Sequence, residues 1–464
     1  MSHVVFSLHY LAFRSIRSNN TLDLNLVKGE RHERTSSHYT ILWTNTCLDD
    51  FSSDCLRIAR RTGFLKRLRK INPLLFLRAL AVACFEATPS FRLVALTLSL
   101  LSSQSITKQA IAKKMDQQCL QFVRCAVLAL TQRLSAFDKL RQTEVFQSFR
   151  RVLIQDSTHL RLANRLADNF PGPANQRSKD RATLKIQVVY DLLGESLTYF
   201  GLSGFRRTDQ AASADILAIA QPGDLVLRDL GYFSTSVFKK LLDRGVHFLS
   251  RLKHNVSIRN PQTLALIDLL GTLRRDGRFD QQVLLSTEHK VPVRLVALPV
   301  PEQVANERRR KAKTNRDRRC NPSKEHLEML GWNIFVTSVD SLTWDPETVL
   351  KIYGARWRIE IIFKTWKSNF NLTETPTGSA LQVEVFIWAK LLAICLFQKL
   401  FGCLELYIAQ PISLLKSAQF FAWLLIWSLT GSITAELRAE PIHKQLRLEK
   451  RKKYNCDSPR PLLS

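Results

Sequence analysis

Apolar and polar positions change period along the chain, and the changes mark out its elements. From residue 51 to about 148 the apolar residues recur at helical spacing. FLKRLRKINPLLFLRALAVACFEA has a basic stripe followed by an apolar run, and FRLVALTLSLLSSQSITKQAIAKKMDQQCLQFVRCAVLAL continues the pattern. In SITKQAIAKKM a Ser precedes the helical stretch, as an N-cap does, and Lys108, Lys113 and Lys114 decorate that helix. A helix-turn-helix-like DNA reader and an ordinary helix pair with a solvated lysine face both fit this stretch.

Near residue 150 the period falls to two. RVLIQDSTHLRL is a strand with Asp156 near its end, and LKIQVVYDLLGESLTYFGLSG reads as two strands joined at LLGES. AASADILAIA predicts a helix, DLVLRDLGYF a strand ending at Asp229, STSVFKKLLDRG a helix stopped by Gly245, and VHFLSRLKHNVSI a fifth strand. Three strands followed by helix, strand, helix, strand predict a mixed α/β core. Residues 258 to about 345 break the rhythm with short strands in HKVPVRLVALPV and WNIFVTSV. Asp345 and Pro346 then signal a helix start, and residues 346 to about 372 read as one helix. Helical character resumes after Thr373, and the chain ends in a basic tail, RLEKRKKYNCDSPRPLLS.

Charge adds a partner to this picture. The 464 residues hold 68 Lys plus Arg against 40 Asp plus Glu, a net of +28. An excess this large favours a polyanion, with nucleic acid ahead of an anionic membrane surface. The run RRRKAKTNRDRR sets eight basic residues (Arg308, Arg309, Arg310, Lys311, Lys313, Arg316, Arg318, Arg319) against Asp317. It reads as a solvated or flexible loop, and functionally as a set of phosphate contacts. The most apolar stretch, Phe386 to Ala409, is interrupted by Lys390, Lys399 and Glu405, so a membrane span is not expected. The N-terminus lacks a basic start and a small-residue cleavage site, so no signal peptide is read. The nine cysteines show no zinc spacing and read as reduced, mostly buried thiols.

The segment after Asp345 carries the chemistry. Tyr353, Arg356, Glu360 and Lys367 share one face of a helix. At about 100° per residue, Arg356, Lys367 and Glu360 fall about 60°, 40° and 20° from Tyr353. An acid flanked by two cations and a phenol can hold Mg²⁺ beside phosphates, because Mg²⁺ prefers oxygen ligands and cations bind phosphate. A ladder of i,i+4 ion pairs on a surface helix has the same spacing. Trp357, Ile361 and Trp366 point to other faces and serve as anchors. Asp156 and Asp229 stand at strand ends, where turn formation is their ordinary use. Asp191, Glu195 and Asp224 read as caps. Two strand-end aspartates and one helix glutamate suit a two-metal site.

YGARWRIEIIFKTWK resembles the Y-R-E-K signature of DDE-type transposases of the insertion sequence 4 family. IQDSTHLRL and GDLVLRDLGYFS are similar to that family's two Asp segments, and the helical part from ARRTGFLKRLRKINPLLFLRAL is similar as well. The resemblance covers residues 55 to about 430. It implies an α/β fold with a ribonuclease-H-like catalytic core and a β-rich insertion, preceded by a helical N-terminal domain and followed by C-terminal helices. The expected units are an extension over 1–50, the helical N-terminal domain over 51–148, the core over 149–257 and 346–372, the insertion over 258–345, C-terminal helices over 373–435 and a tail over 436–464. It implies Asp156, Asp229 and Glu360 as catalytic residues and ligands of two Mg²⁺ ions, with Mn²⁺ able to substitute. Tyr353, Arg356 and Lys367 would contact DNA, joined by Arg308, Arg309, Arg310 and Lys311 of the basic run. The partners implied are double-stranded DNA, both terminal inverted repeats and target, and a second copy of the chain. The expected setting is the bacterial cytoplasm, at the nucleoid and away from membranes. A cut-and-paste transposase is the leading expectation. A DNA-binding relic without catalysis and a stand-alone metal-dependent nuclease are the alternatives.

Overall fold

The period-two stretches assemble into a single nine-stranded sheet. A computed structural model describes residues 51–67, 70–86, 88–133, 144–173, 181–314, 321–374, 378–408 and 412–421. The extension over 1–50, the tail over 436–464 and Arg316, Arg318 and Arg319 lie outside the described residues.

Five helices come first: α1 (Ser52–Arg61), α2 (Pro73–Ala83), α3 (Phe91–Ser102), α4 (Lys108–Lys114) and α5 (Gln117–Arg133). Thr107, not Ser105, caps α4, its hydroxyl accepting from Ala110 N. Strands β1 (Val152–Leu162), β2 (Ala182–Asp191) and β3 (Ser196–Gly204) form an antiparallel meander. Strand β4 (Leu225–Arg228), helix α6 (Thr235–Leu242) and strand β5 (His247–Arg251) follow. The stretch Ala211–Ala218, expected as an α-helix, is a 3-10 run, the tighter form that the chain uses in short connectors. Gly245 ends the α6 turn with φ +66, a conformation that a side chain disfavours.

Beyond β5 lie β6 (Ile258–Arg259), α7 (Leu269–Asp276), β7 (Phe279–Leu285), β8 (Val291–Pro299), α8 (Glu302–Lys313), α9 (Lys324–Met329) and β9 (Trp332–Thr337). The strand order is β3-β2-β1-β4-β5-β9-β8-β7-β6, so the strands of residues 258–345 extend the same sheet through the β5–β9 pair. The first half of the basic run is helical rather than a loop. Its charges are partly neutralised along α8, where Lys311 pairs with Glu307 at i,i+4 and Arg309 with Glu302, while Ala305 packs inward.

The expected single helix after Asp345 is two. Helix α10 (Pro346–Gly354) and helix α11 (Arg358–Asn369) are joined by a 3-10 turn over Ala355–Trp357. Trp357 is 49% exposed and anchors nothing, whereas Trp366 is buried. Helix α12 (Ala380–Ile408) is long and apolar enough to cross a membrane, yet 78% of its most apolar window is buried inside the protein. Its Lys390 is buried and donates to the carbonyls of Asn371 and Glu374, so the charge that interrupts the apolar run ties down a chain bend.

Each sheet face covers its own core. Ile154, Leu227 and Leu249 face the N-terminal helices and α10–α12. Their neighbours Leu153, Val226 and Phe248 face α6 and residues of the 258–345 stretch. Successive side chains alternate between faces, so the next residue to project on the first face is two positions on. Among the described cysteines, Cys55, Cys84, Cys119 and Cys395 are buried and none is disulfide-bonded.

Asp345 caps α10 by accepting from Thr348 N at 2.7 Å. Replacing it with Ala should cost about 1 kcal/mol, read as a lower melting temperature. The hydrogen bonds from Thr348 hold the Asp345 carboxyl below its ordinary value. Its stabilisation is therefore present above the unfolded pKa and is lost as pH falls through the folded one, so the gap between wild type and variant should close in acid.

Candidate active site

Two parallel pairings place the first two acids. β1 and β4 are parallel, with Ile154 beside Leu227 and Gln155 beside Arg228. One residue further, Asp156 and Asp229 stand side by side on the first sheet face. Asp229 keeps extended backbone (φ -72, ψ 158) while its carboxylate accepts from Gly231 N at 3.3 Å, so it is a turn former as well as a site residue. Asp156 accepts from Ser157 N at 2.8 Å.

The 3-10 turn then brings in the helix. Arg356, 10% exposed at its side chain, reaches all three acids: Nη1 lies 3.4 Å from Asp156, and Nη2 lies 3.5 Å from Asp229 and 3.2 Å from Glu360. Burial acts to lower the Arg356 pKa, but Tyr353 and the three carboxylates outweigh it and hold the guanidinium firmly charged. Asp156 is pushed up to about 6, chiefly by burial and further by Asp229 and Glu360, against the Ser157 N–H and Arg356. Among the described residues no three His, Cys, Asp or Glu side chains form a group able to enclose a metal ion. Each carboxylate turns to the guanidinium instead.

These residues line an open cleft of about 660 Å³. Its other walls are Ser157, Thr158, His159, Phe363, Lys364, Lys367 and Ser368. Lys364 and Lys367 are exposed, so the cleft pairs an acidic floor with a basic rim. Lys364 follows Glu360 by four residues, so helical spacing alone could have found it. Tyr353 is placed differently from the others: its ring is 5.0 Å from Phe335 and lies under the Arg356 guanidinium, 5.8 Å away. Of the basic run, Arg308 is turned inward to Asn333 Oδ1 at 2.8 Å, and Arg309 is held by Glu302 and Asn306. Arg310 and Lys311 are exposed, far along the sequence from the acids and absent from the cleft walls.

A second set of polar groups steadies the site from the other sheet face. Asp209 accepts from Ser157 Oγ at 2.9 Å, Lys185 Nζ at 3.1 Å and Gln187 Nε2 at 3.3 Å. Tyr232 donates to Gln187 Oε1 at 2.6 Å. Burial works to raise the Asp209 pKa, and the bonds from Ser157 and Lys185 overcome it and hold the carboxyl below its ordinary value. Arg228, fully buried and pushed down to about 9 by desolvation, donates to Gln155 Oε1 at 2.9 Å and Ser213 O at 2.7 Å. It therefore links β1, β4 and the 3-10 run directly behind the acids. Asp209 was invisible in the sequence, because nothing local connects it to β1. The three acids read as caps have structural partners: Asp191 accepts from Leu193 N, Asp224 pairs with Arg151 and accepts from Gln221 N, and Glu195 lies 4.0 Å from Arg358.

Asp156, which lies within β1 rather than at its end, Asp229 just past β4 and the helix glutamate Glu360 thus form an acidic centre beneath a rim of cations. Residues 147–396 match the family described as Transposase DDE domain, and the chain belongs to that family. It is 28% identical over 365 residues to the transposase for insertion sequence element IS231D of Bacillus thuringiensis subsp. finitimus, covering 73% of this chain and 75% of that protein. It is 29% identical over 369 residues to the IS231C transposase of Bacillus thuringiensis subsp. berliner, covering 73% and 74%. The transposase for IS1151 of Clostridium perfringens is 24% identical over 320 residues, covering 64% and 67%.

Asp156 carries a prediction of its own. Its folded pKa of about 6 lies above the ordinary aspartate value of 3.8. Its ionised form is thus disfavoured by folding, a cost fully present above the folded pKa and absent below the unfolded one. Asp156→Asn should stabilise the metal-free protein at pH 7.5 by roughly 2 kcal/mol, and the gain should fade as pH approaches about 4. Melting curves across that range check it, and a gain that does not shrink in acid would contradict this origin.

Proposed function

We propose that this chain is a cut-and-paste transposase of the insertion sequence 4 type. It binds the terminal inverted repeats of its element, cuts DNA strands there and joins them to a target. The observation that carries this reading is the convergence of Asp156, Asp229 and Glu360 on one guanidinium beneath the Lys364 and Lys367 rim. An acidic floor alone repels DNA, and a basic groove alone only binds it. The combination serves phosphodiester chemistry. The strand order β3-β2-β1-β4-β5, with an antiparallel meander followed by two parallel strands, supports a ribonuclease-H-like core. In this reading residues 149–257 and 346–372 form that core, 258–345 the insertion, 51–148 a DNA-binding helical domain and 373–435 C-terminal helices. Two copies of the chain pair the two element ends.

The donor set fits a hard divalent cation. All three side chains offer oxygen, and three carboxylates face a single guanidinium within 3.5 Å. Asp156, Asp229 and Glu360 would hold two Mg²⁺ ions, with Mn²⁺ able to substitute. When bound, such ions activate a water or a 3′-hydroxyl and stabilise the leaving oxygen of an in-line displacement. The chain's own residues bind and orient. Lys364 and Lys367 hold phosphate oxygens at the rim, and Arg356 places its charge between the acids and the backbone of the bound strand. Tyr353 and Phe335 support that guanidinium from beneath.

Nicking of a labelled duplex carrying the element's terminal repeat tests the reading. Wild type with Mg²⁺ should nick at the repeat boundary, and EDTA should stop it. Glu360→Ala should lower nicking by about 100-fold or more while leaving duplex binding within about threefold. Binding without nicking by the wild type would favour a regulatory DNA-binding copy, and cleavage at unrelated sites a plain nuclease.

A further inference from the structure

The parallel register that sets Asp156 beside Asp229 continues one strand further. β4 and β5 are parallel, with Leu227 beside Leu249 and Arg228 beside Ser250. Asp229 is therefore followed in the same row by Arg251. Leu249 faces the first core with Ile154 and Leu227, so Arg251, two positions on, projects on the same side as the two aspartates. The row is Asp156, Asp229, Arg251 on three adjacent strands, spaced by the roughly 5 Å that separates neighbouring strands.

The surroundings of Arg251 are short of negative charge. Among the described residues no carboxylate lies within 4.0 Å of its guanidinium, although Asp229 is one strand away and is already engaged by Arg356. Its partner across β9 is Phe335, an apolar residue that carries the Tyr353 ring. Its charged neighbour beyond that is Arg308, fixed to Asn333 two residues along β9. Arg308 has its pKa lowered by burial and further by Arg251, so the two cations lie close enough to oppose each other. Arg251 itself is only partly buried. A partly exposed strand-end cation beside another cation and with no acid in reach leaves a guanidinium able to take an anion.

We infer that Arg251 is a DNA-backbone ligand, holding a phosphate of the bound strand next to the one positioned over the carboxylates. This rests on the transposase reading above and extends it. The row of side chains would then track one strand: acids under the reacting phosphate, and Arg251 under a neighbour on the β5 side, toward residues 258–345. Arg308, fixed to Asn333, is the neighbouring cation on the β9 side. The guanidinium suits this use, because its planar fork can take two phosphate oxygens at once.

The test measures binding of full-length protein to a labelled duplex carrying the terminal repeat, by fluorescence anisotropy over a range of salt. It is done in the Glu360→Ala background, so that cleavage plays no part. Arg251→Ala should weaken binding by about 5- to 10-fold and lower the slope of log K against log[salt] by about one. Arg251→Lys should restore the slope. A second set of duplexes carries a single uncharged methylphosphonate, scanned along the strand near the repeat boundary. One position should weaken the parent protein and leave Arg251→Ala unaffected. An unchanged slope in Arg251→Ala, or no position with that pattern, overturns the inference. If Arg251→Ala melts early, Arg251→Met, which keeps the aliphatic stem, decides by the same slope. A parent protein that binds no terminal-repeat duplex at all would sink the transposase reading and this inference with it. A parent that binds with a slope indifferent to Arg251 would sink this inference alone.

Discussion

Like charges held within a few ångströms of each other must be neutralised from somewhere, and the structure around Arg356 is organised by that need. Asp156 and Asp229 cannot avoid each other, because a parallel pair of strands sets them in one row on one face. Glu360 is added from a helix that packs on that face. One guanidinium lies within 3.5 Å of all three. Three negative charges face one positive one, and burial, with a smaller push from Asp229 and Glu360, raises the Asp156 pKa. Desolvation and the neighbouring carboxylates together disfavour a further negative charge at Asp156.

The rest of the architecture keeps this costly arrangement from relaxing. A 3-10 turn at Ala355–Trp357 separates α10 from α11, and Arg356 sits within it, between the Tyr353 ring and Glu360. Behind the sheet, Arg228 and Asp209 connect β1 and β2 with the loops around the 3-10 runs. Neither touches the cleft acids directly. Each removes a way in which the strand ends could splay, and each does so with buried, hydrogen-bonded polar groups whose partial loss is expensive.

The positive balance of the chain is spent in two different ways. Lys185, Arg228, Arg294, Arg358 and Lys390 are buried and satisfy carbonyls, carboxylates or amides inside the fold. Arg308 and Arg309 are also committed to protein partners. The exposed surplus is therefore smaller than the composition implies, and part of it lies near the acids, with Lys364 and Lys367 at the rim of the cleft.

Local pattern was enough for much of this protein. Alternation located β1 to β5, because one face of each strand must be apolar to cover a core, although β4 and β5 are much shorter than the stretches read as strands. Asp345 with Pro346 marked the start of α10, because a cap and a preset φ act within one turn. The helical spacing of Tyr353, Arg356, Glu360 and Lys367 put an acid among cations. Where local signals compete, the sequence misled. RRRKAK read as a loop from its charge, yet ion pairs with Glu302 and Glu307 let it form α8. YGARWR read as unbroken helix, yet packing imposes a tighter turn there. What only the tertiary structure decided was adjacency: that Asp156, Asp229 and Arg251, spread over some hundred residues of chain, stand in one row, and that Asp209 braces them from behind. Sequence encodes the period of each strand, but which strands pair, and in what register, is settled by the burial of both sheet faces together, a property no single segment carries.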